Sequence, residues 1–191
     1  MKPQTFTWKK LTADELTRVY LDEMRRDFPP SELKPLSMIL NSEAVGMAHT
    51  WGVFEGETLV SYLLMVRPMG CEVSQLDYFS VLPAYRSTGI GARLLAALPA
   101  HEEGAKAILI EAECPEKADD EAMAVRRLGF YARCGAVPGA GPACRGGDAG
   151  CRDGQQRAGR LLQPGDGRGQ VAQICPALPP GRHGREILIR L

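Results

Sequence analysis

The passage from Val73 to Leu98 limits most narrowly what this chain can fold into. Val73, Gln75, Asp77, Phe79 and Val81 alternate with Leu76, Tyr78 and Leu82, the period of a strand. Pro83 then leads into Arg86-Ser87-Thr88-Gly89-Ile90-Gly91-Ala92. After Gly89, Ile90, Leu94, Ala97 and Leu98 recur at helical intervals, so the loop opens into an amphipathic helix whose end Pro99 marks. A strand feeding a helix through glycines points to a mixed α/β architecture.

Such a loop offers anions several backbone N–H groups that have no partner inside the helix, backed by the positive end of its dipole. Gly89 and Gly91 let the backbone take positive φ and approach a phosphate without an intervening Cβ. Arg86 adds a full charge, and Ser87 and Thr88 add hydroxyl donors. Two nucleotide-binding patterns fail by inspection: no Gly-Lys-Ser/Thr follows, and a third glycine at dinucleotide spacing is absent. A plain strand-to-helix turn stays open on spacing alone.

The flanking elements extend the same grammar. Gln4 to Lys10 alternates like a half-buried strand. Thr12-Ala13-Asp14-Glu15 has capping-box spacing, and Leu16, Val19, Tyr20 and Met24 continue a helix until Pro29-Pro30. A shorter helix is expected from Pro35 to about Ser42. Thr50 to Phe54 and Leu59 to Val66, joined by Glu55-Gly56-Glu57, read as a hairpin. Ala105 to Cys114 reads as a further strand, and Asp119 to Cys134 as a helix stopped at Gly135.

At 191 residues the chain is long enough for one well-buried domain with an appended tail. Basic and acidic residues balance at 23 each, so no global field draws it to nucleic acid or an anionic membrane. No signal-like or membrane-spanning stretch stands out, which makes a cytoplasmic protein with reduced thiols the expectation. Cys144, Cys151, Cys175 and His183 lack close ligand pairing, so no metal is expected. Cys134 reads as small core packing rather than a nucleophile, because nothing near it in sequence supplies an activating base.

Val81-Leu82-Pro83-Ala84-Tyr85-Arg86-Ser87-Thr88-Gly89-Ile90-Gly91-Ala92 resembles the Arg/Gln-x-x-Gly-x-Gly/Ala signature of the GCN5-related N-acetyltransferase (GNAT) family. Ser87 stands where that family usually has Gly. Arg126-Arg127-Leu128-Gly129-Phe130-Tyr131-Ala132-Arg133-Cys134-Gly135-Ala136 is similar to the family's late helix, Phe/Leu-Tyr-x-x-x-Gly with a following apolar residue. The resemblance covers about Thr5 to Ala136. It implies a mainly antiparallel central sheet flanked by helices, and transfer of an acetyl group from acetyl-CoA to a primary amine. It also implies a pyrophosphate cradle at Arg86, Ser87, Thr88, Gly89, Ile90, Gly91 and Ala92, with main-chain groups of Phe79, Ser80 and Val81 holding the pantetheine arm and the carbonyl oxygen. A homodimer is left open, as is a non-catalytic CoA-binding module. A nucleotide-binding regulatory domain using the same anion loop is a more distant alternative.

An amine with a reference pKa near ~10.4 attacks a thioester only when neutral, so a proton acceptor or water relay is required. Glu111, which shares a strand face with Leu109 and Glu113, is the first choice, and Asp77 is its rival. Both also read as solvated strand carboxylates. By the resemblance, Tyr131 is the acid that protonates the leaving thiolate; its bland reading is a core tyrosine.

The chain is expected to divide into a core over 1–136, an atypical segment over 137–185 and a terminal strand over 186–191. More than half of the 21 glycines follow Gly135, and no Phe, Tyr, Trp or Lys does. That composition reads either as disorder or as a shifted reading frame between two compensating changes.

Overall fold

A computed structural model of the chain describes residues 5–113, 115–138 and 186–190. The expectations for 139–185 lie outside the described residues. The fold is mixed α/β with a mostly antiparallel sheet flanked by helices. Two compact units divide it. One holds the residues up to Met69 together with Leu76–Gly91, and the other holds Gly70–Gln75 together with those from Ala92 onward.

In the first unit β1 (Thr7–Lys10) pairs antiparallel with β2 (Ala48–Glu55), which forms a hairpin with β3 (Thr58–Val66). β4 (Val73–Val81) follows β3 in the sheet and contributes to both units. Between β1 and β2 the chain is helical. α1 (Ala13–Val19) carries the expected capping box, in which the Thr12 hydroxyl accepts the Glu15 N–H and the Glu15 carboxylate accepts the Thr12 N–H. A π-helical turn, Tyr20–Met24, and α2 (Arg25–Asp27) continue it, and α3 (Leu36–Ala44) follows a loop.

The π turn has a packing reason. Val19 and Met24 are five residues apart, and an i to i+5 turn brings both to the inward side with Leu16. These three join Leu11, Ile39, Tyr62, Leu64 and Tyr78 in one apolar core. Full burial of a side chain of this size contributes about 1.5–3 kcal/mol, so the core is what fixes the helical segment on the sheet. Gly52 in β2 makes room for it, because a Cβ there would lie 2.6 Å from Leu11 Cδ2 and 2.8 Å from the Phe54 ring.

In the second unit the strand order is β4-β5-β7-β6, with β5 spanning Ala107–Glu113, β6 Val137–Pro138 and β7 Glu186–Arg190. β7 pairs antiparallel with β5 and with β6. α4 (Ile90–His101) crosses the division between the units, and α5 (Glu121–Arg133) contacts β5. Pro99 lies inside α4 rather than at its end. It falls within three residues of the last helical position, so the bond it forfeits belongs to a turn that is about to end. Cys71 is disulfide-bonded, which departs from the expectation of reduced thiols throughout, whereas Cys134 is free. Among the described residues no helix is long and apolar enough to cross a membrane.

Candidate acetyl-CoA site

Val81 ends β4 and the chain makes one 3-10 turn over Pro83–Tyr85 before α4 begins at Ile90. The turn is closed by the Tyr85 N–H donating to the Leu82 carbonyl at 2.9 Å. Ser87 then takes φ 62° and Gly89 φ 81°. Thr88 between them has no positive φ, and this alternation of hand is the kind that turns successive N–H groups toward an anion. Among the described residues the N–H groups of Ser87, Thr88 and Gly89 have no hydrogen-bond partner, and all three residues are exposed. A Cβ built on Gly89 would meet nothing within 4 Å, so positive φ, rather than crowding by the protein, favours glycine there.

The side chains of the loop behave differently from the sequence expectation. The Thr88 hydroxyl donates to the Tyr85 carbonyl at 2.6 Å, so it braces the loop instead of offering its proton. Arg86 folds back toward the protein: its Nε donates to the Val81 carbonyl at 2.7 Å and its Nη2 to Asp27 Oδ1 at 3.0 Å. Half of the guanidinium side chain stays exposed.

Asp27 is the residue that sequence reasoning missed. Its side chain is 5% exposed, and its Oδ2 accepts the Tyr62 hydroxyl at 2.9 Å and the Ser80 hydroxyl at 2.7 Å. Burial pushes this carboxyl up, but the hydrogen bonds from Ser80, Tyr62 and Arg86 outweigh burial and hold it below the usual carboxylate range. Burial and the neighbouring Asp27 charge push the Tyr62 phenol up in turn, so it stays a donor. One signal was legible: Asp27 stands three residues after Met24, on the inward stripe of the helical segment.

Of the main chain expected to hold the pantetheine arm, the Ser80 carbonyl accepts the buried Ser61 hydroxyl at 2.7 Å, and the Val81 carbonyl accepts Arg86 Nε at 2.7 Å and, more distantly, the Ser80 hydroxyl at 3.5 Å. Phe79 and Val81 are half-buried on β4. Asp77, also on β4, is ion-paired with Lys34, Nζ to Oδ2 2.5 Å, so one of its oxygens is already occupied by an ammonium.

In the second unit Glu111 is half-buried on β5, opposite Leu188 of β7 in the register, with buried Leu109 two residues before it. Tyr131 lies on α5 and is 9% exposed, with its ring 5.4 Å from that of Phe130. Among the described residues its hydroxyl has no hydrogen-bond partner. Burial pushes the phenol up against the smaller opposing effect of Arg127, so it stays protonated through neutral pH. The helix is stopped by Gly135 at φ 86°, with the Gly135 N–H on the Ala132 carbonyl and the Ala136 N–H on the Tyr131 carbonyl. That paired closure explains the glycine four residues after the tyrosine. Among the described residues no group of three or more His, Cys, Asp and Glu is arranged to hold a metal.

Among the described residues the unpartnered N–H groups of the helix-opening loop suit a phosphorylated ligand. Comparison with known proteins bears on the fold and the family. An acetyltransferase of the GNAT family from Bacteroides thetaiotaomicron has the same fold, with TM-score 0.62 and 19% identity over 96% of this chain and 85% of that one. The ribosomal-protein-S18-alanine N-acetyltransferase from Escherichia coli superposes with TM-score 0.56 at 13% identity, covering 97% and 92%. The spermidine N-acetyltransferase from Vibrio cholerae, solved with CoA and spermine, gives 0.55 at 8%, covering 97% and 93%. No curated protein matches the sequence. Residues 41–135 match the family model described as the acetyltransferase (GNAT) domain, and the chain therefore carries a domain of the GNAT acetyltransferase family.

Proposed function

We propose that this protein is an N-acetyltransferase that moves an acetyl group from acetyl-CoA to a primary amine. The observation that carries this is the run of N–H groups at Ser87, Thr88 and Gly89, unpartnered among the described residues and opening the helix that begins at Ile90. With Gly91 and Ala92 in the first turn, these groups would hold the pyrophosphate, and the helix dipole would add to their pull. Main-chain groups of Phe79, Ser80 and Val81 would orient the pantetheine arm and polarise the carbonyl.

Acetyl-CoA supplies an acyl group activated as a thioester. The chain's own groups manage two protons. Glu111, or Asp77 once parted from Lys34, takes one from the amine, directly or through water. Tyr131 gives one to the sulfur as the carbon–sulfur bond breaks. A thiol near about 8.5 receiving from a phenol above about 10 makes the second transfer uphill by at least about 2 kcal/mol, a modest share of an enzymatic barrier. Among the described residues the Tyr131 hydroxyl has no hydrogen-bond partner, which supports the assignment, since a buried donor without one costs about 1–3 kcal/mol and a bound ligand could satisfy it.

Calorimetry with acetyl-CoA, then thiol release with polyamine, amino-acid, aminoglycoside and peptide N-terminus acceptors, tests the reading. Binding with release is expected. Binding without release from any amine would make this a CoA-binding module, and absence of binding would sink the reading altogether.

A further inference from the structure

The geometry points to Asp27 as a positioning residue for the phosphate loop, acting through Arg86. This rests on the reading that the loop binds acetyl-CoA. The two oxygens of the carboxylate do different work. Oδ2 is fixed from two strands, by Tyr62 of β3 at 2.9 Å and Ser80 of β4 at 2.7 Å. Oδ1 is thereby aimed at Arg86 Nη2, 3.0 Å away, while Arg26 Nε stands at 3.4 Å from the same oxygen.

Arg86 in turn spans five residues to the Val81 carbonyl and so ties the loop's entry to the end of β4 across the turn Pro83–Tyr85. A half-exposed arginine loses rotamer freedom when it is fixed, and one backbone bond with a long contact from Nη2 to the Ser80 hydroxyl at 3.4 Å is a weak restraint against that loss. The buried carboxylate is the charged restraint. It fixes the guanidinium immediately before Ser87, the residue that must hold φ 62° for the N–H groups to converge. Asp27 touches no substrate in this arrangement; it sets the shape of what does.

The opposing view is that Arg86 is a direct phosphate ligand that Asp27 merely holds back. The two differ in sign for Asp27→Asn, which keeps an oxygen for the hydroxyls but turns an amide toward the guanidinium. The test is calorimetric affinity of the full chain for CoA and, by competition, for S-acetylpantetheine, which lacks the pyrophosphate. D27N and R86Q should each weaken CoA about tenfold, about 1.4 kcal/mol. The double variant should lose the same tenfold rather than a hundredfold, and S-acetylpantetheine should bind all three as it binds the unaltered chain.

CoA binding to D27N that is unchanged or tighter would overturn the inference, as would additive losses or equal weakening of both ligands. If D27N does not fold, Tyr62→Phe removes one brace of Oδ2 with the ring retained. It should weaken CoA several-fold and leave S-acetylpantetheine unaffected, and any other pattern counts against Asp27. An unaltered chain that binds neither ligand would instead refute the acetyl-CoA reading, and the inference with it.

Discussion

Lys34 closes on Asp77 at 2.5 Å, and the same residue's backbone N–H reaches the Tyr78 hydroxyl at 2.8 Å. The loop between α2 and α3 is thus pinned to two consecutive positions of β4. Tyr78 also donates to the Glu32 carbonyl at 2.8 Å, and Tyr20 donates to the Lys34 carbonyl at 3.0 Å. Burial pushes the Tyr78 phenol up to about 12, so it remains able to donate across the working pH range.

Tyr78→Phe keeps the edge contact with Phe28, whose ring centroid is 4.9 Å away, but strands one N–H and one carbonyl of the loop. The expected cost is about 1–3 kcal/mol in urea unfolding, with faster proteolytic cleavage between Pro29 and Lys34. Lys34→Met removes a partly exposed ion pair and should cost under about 1 kcal/mol. The reverse order would mean that the charge pair, not the phenol, holds the loop.

Ser87 holds φ 62° without the freedom of glycine. A left-handed conformation costs an ordinary L residue roughly 1–2 kcal/mol, of which the greater unfolded entropy of glycine returns about half. Ser87→Gly should therefore raise stability by about 0.5–1 kcal/mol in chemical denaturation, and Ser87→Val should lower it. The glycine variant should bind acetyl-CoA at least as well. A destabilised glycine variant would show that the Ser87 side chain carries a contact worth more than the strain.

Glu15 supplies a pH dependence. Its carboxyl is drawn from 4.5 to about 2, first by the Lys9 ammonium at 2.5 Å and then by the Thr12 N–H. The folded value is the depressed one, so the stabilisation is present above about pH 4.5 and is lost as pH falls through about 2. The pair lies in solvent, so its worth at neutral pH is under about 1 kcal/mol. Glu15→Gln retains a capping-box residue and isolates the charge. Its unfolding free energy should run below that of the parent at pH 6 and meet it near pH 2. Parallel curves across that window would mean that Lys9 contributes nothing in solution.

The legible part of this fold is the part written in local periodicity and local caps. Thr12 to Glu15 announce a helix start, Gly135 a helix stop, and the alternation from Val73 to Val81 a strand in which, after buried Val73, the even-numbered residues are the buried ones. The anion loop was readable at Gly89, which takes the positive φ its type allows; the second left-handed position falls on Ser87 and not on the expected Gly91, and residue type does not mark it. The direction of Arg86 was not readable: its partner Asp27 is 59 positions away in sequence. The same limit hid the pairing of Asp77 with Lys34, which depends on where a loop returns after a π turn that no spacing of polar residues marks.

Tyr131 carries the clearest separation between chemistry and stability. Its hydroxyl makes no hydrogen bond among the described residues, so Tyr131→Phe removes a buried polar atom without stranding a partner, and the melting temperature should stay level or rise. On its proposed role as proton donor to the leaving sulfur, however, its loss should lower kcat on the order of 100-fold while acetyl-CoA affinity holds. Burial raises the phenol, so the alkaline fall in kcat should lie above the ordinary value of about 10 and be absent from the variant. A variant with full turnover on an accepted amine would return Tyr131 to the core and leave water as the acid.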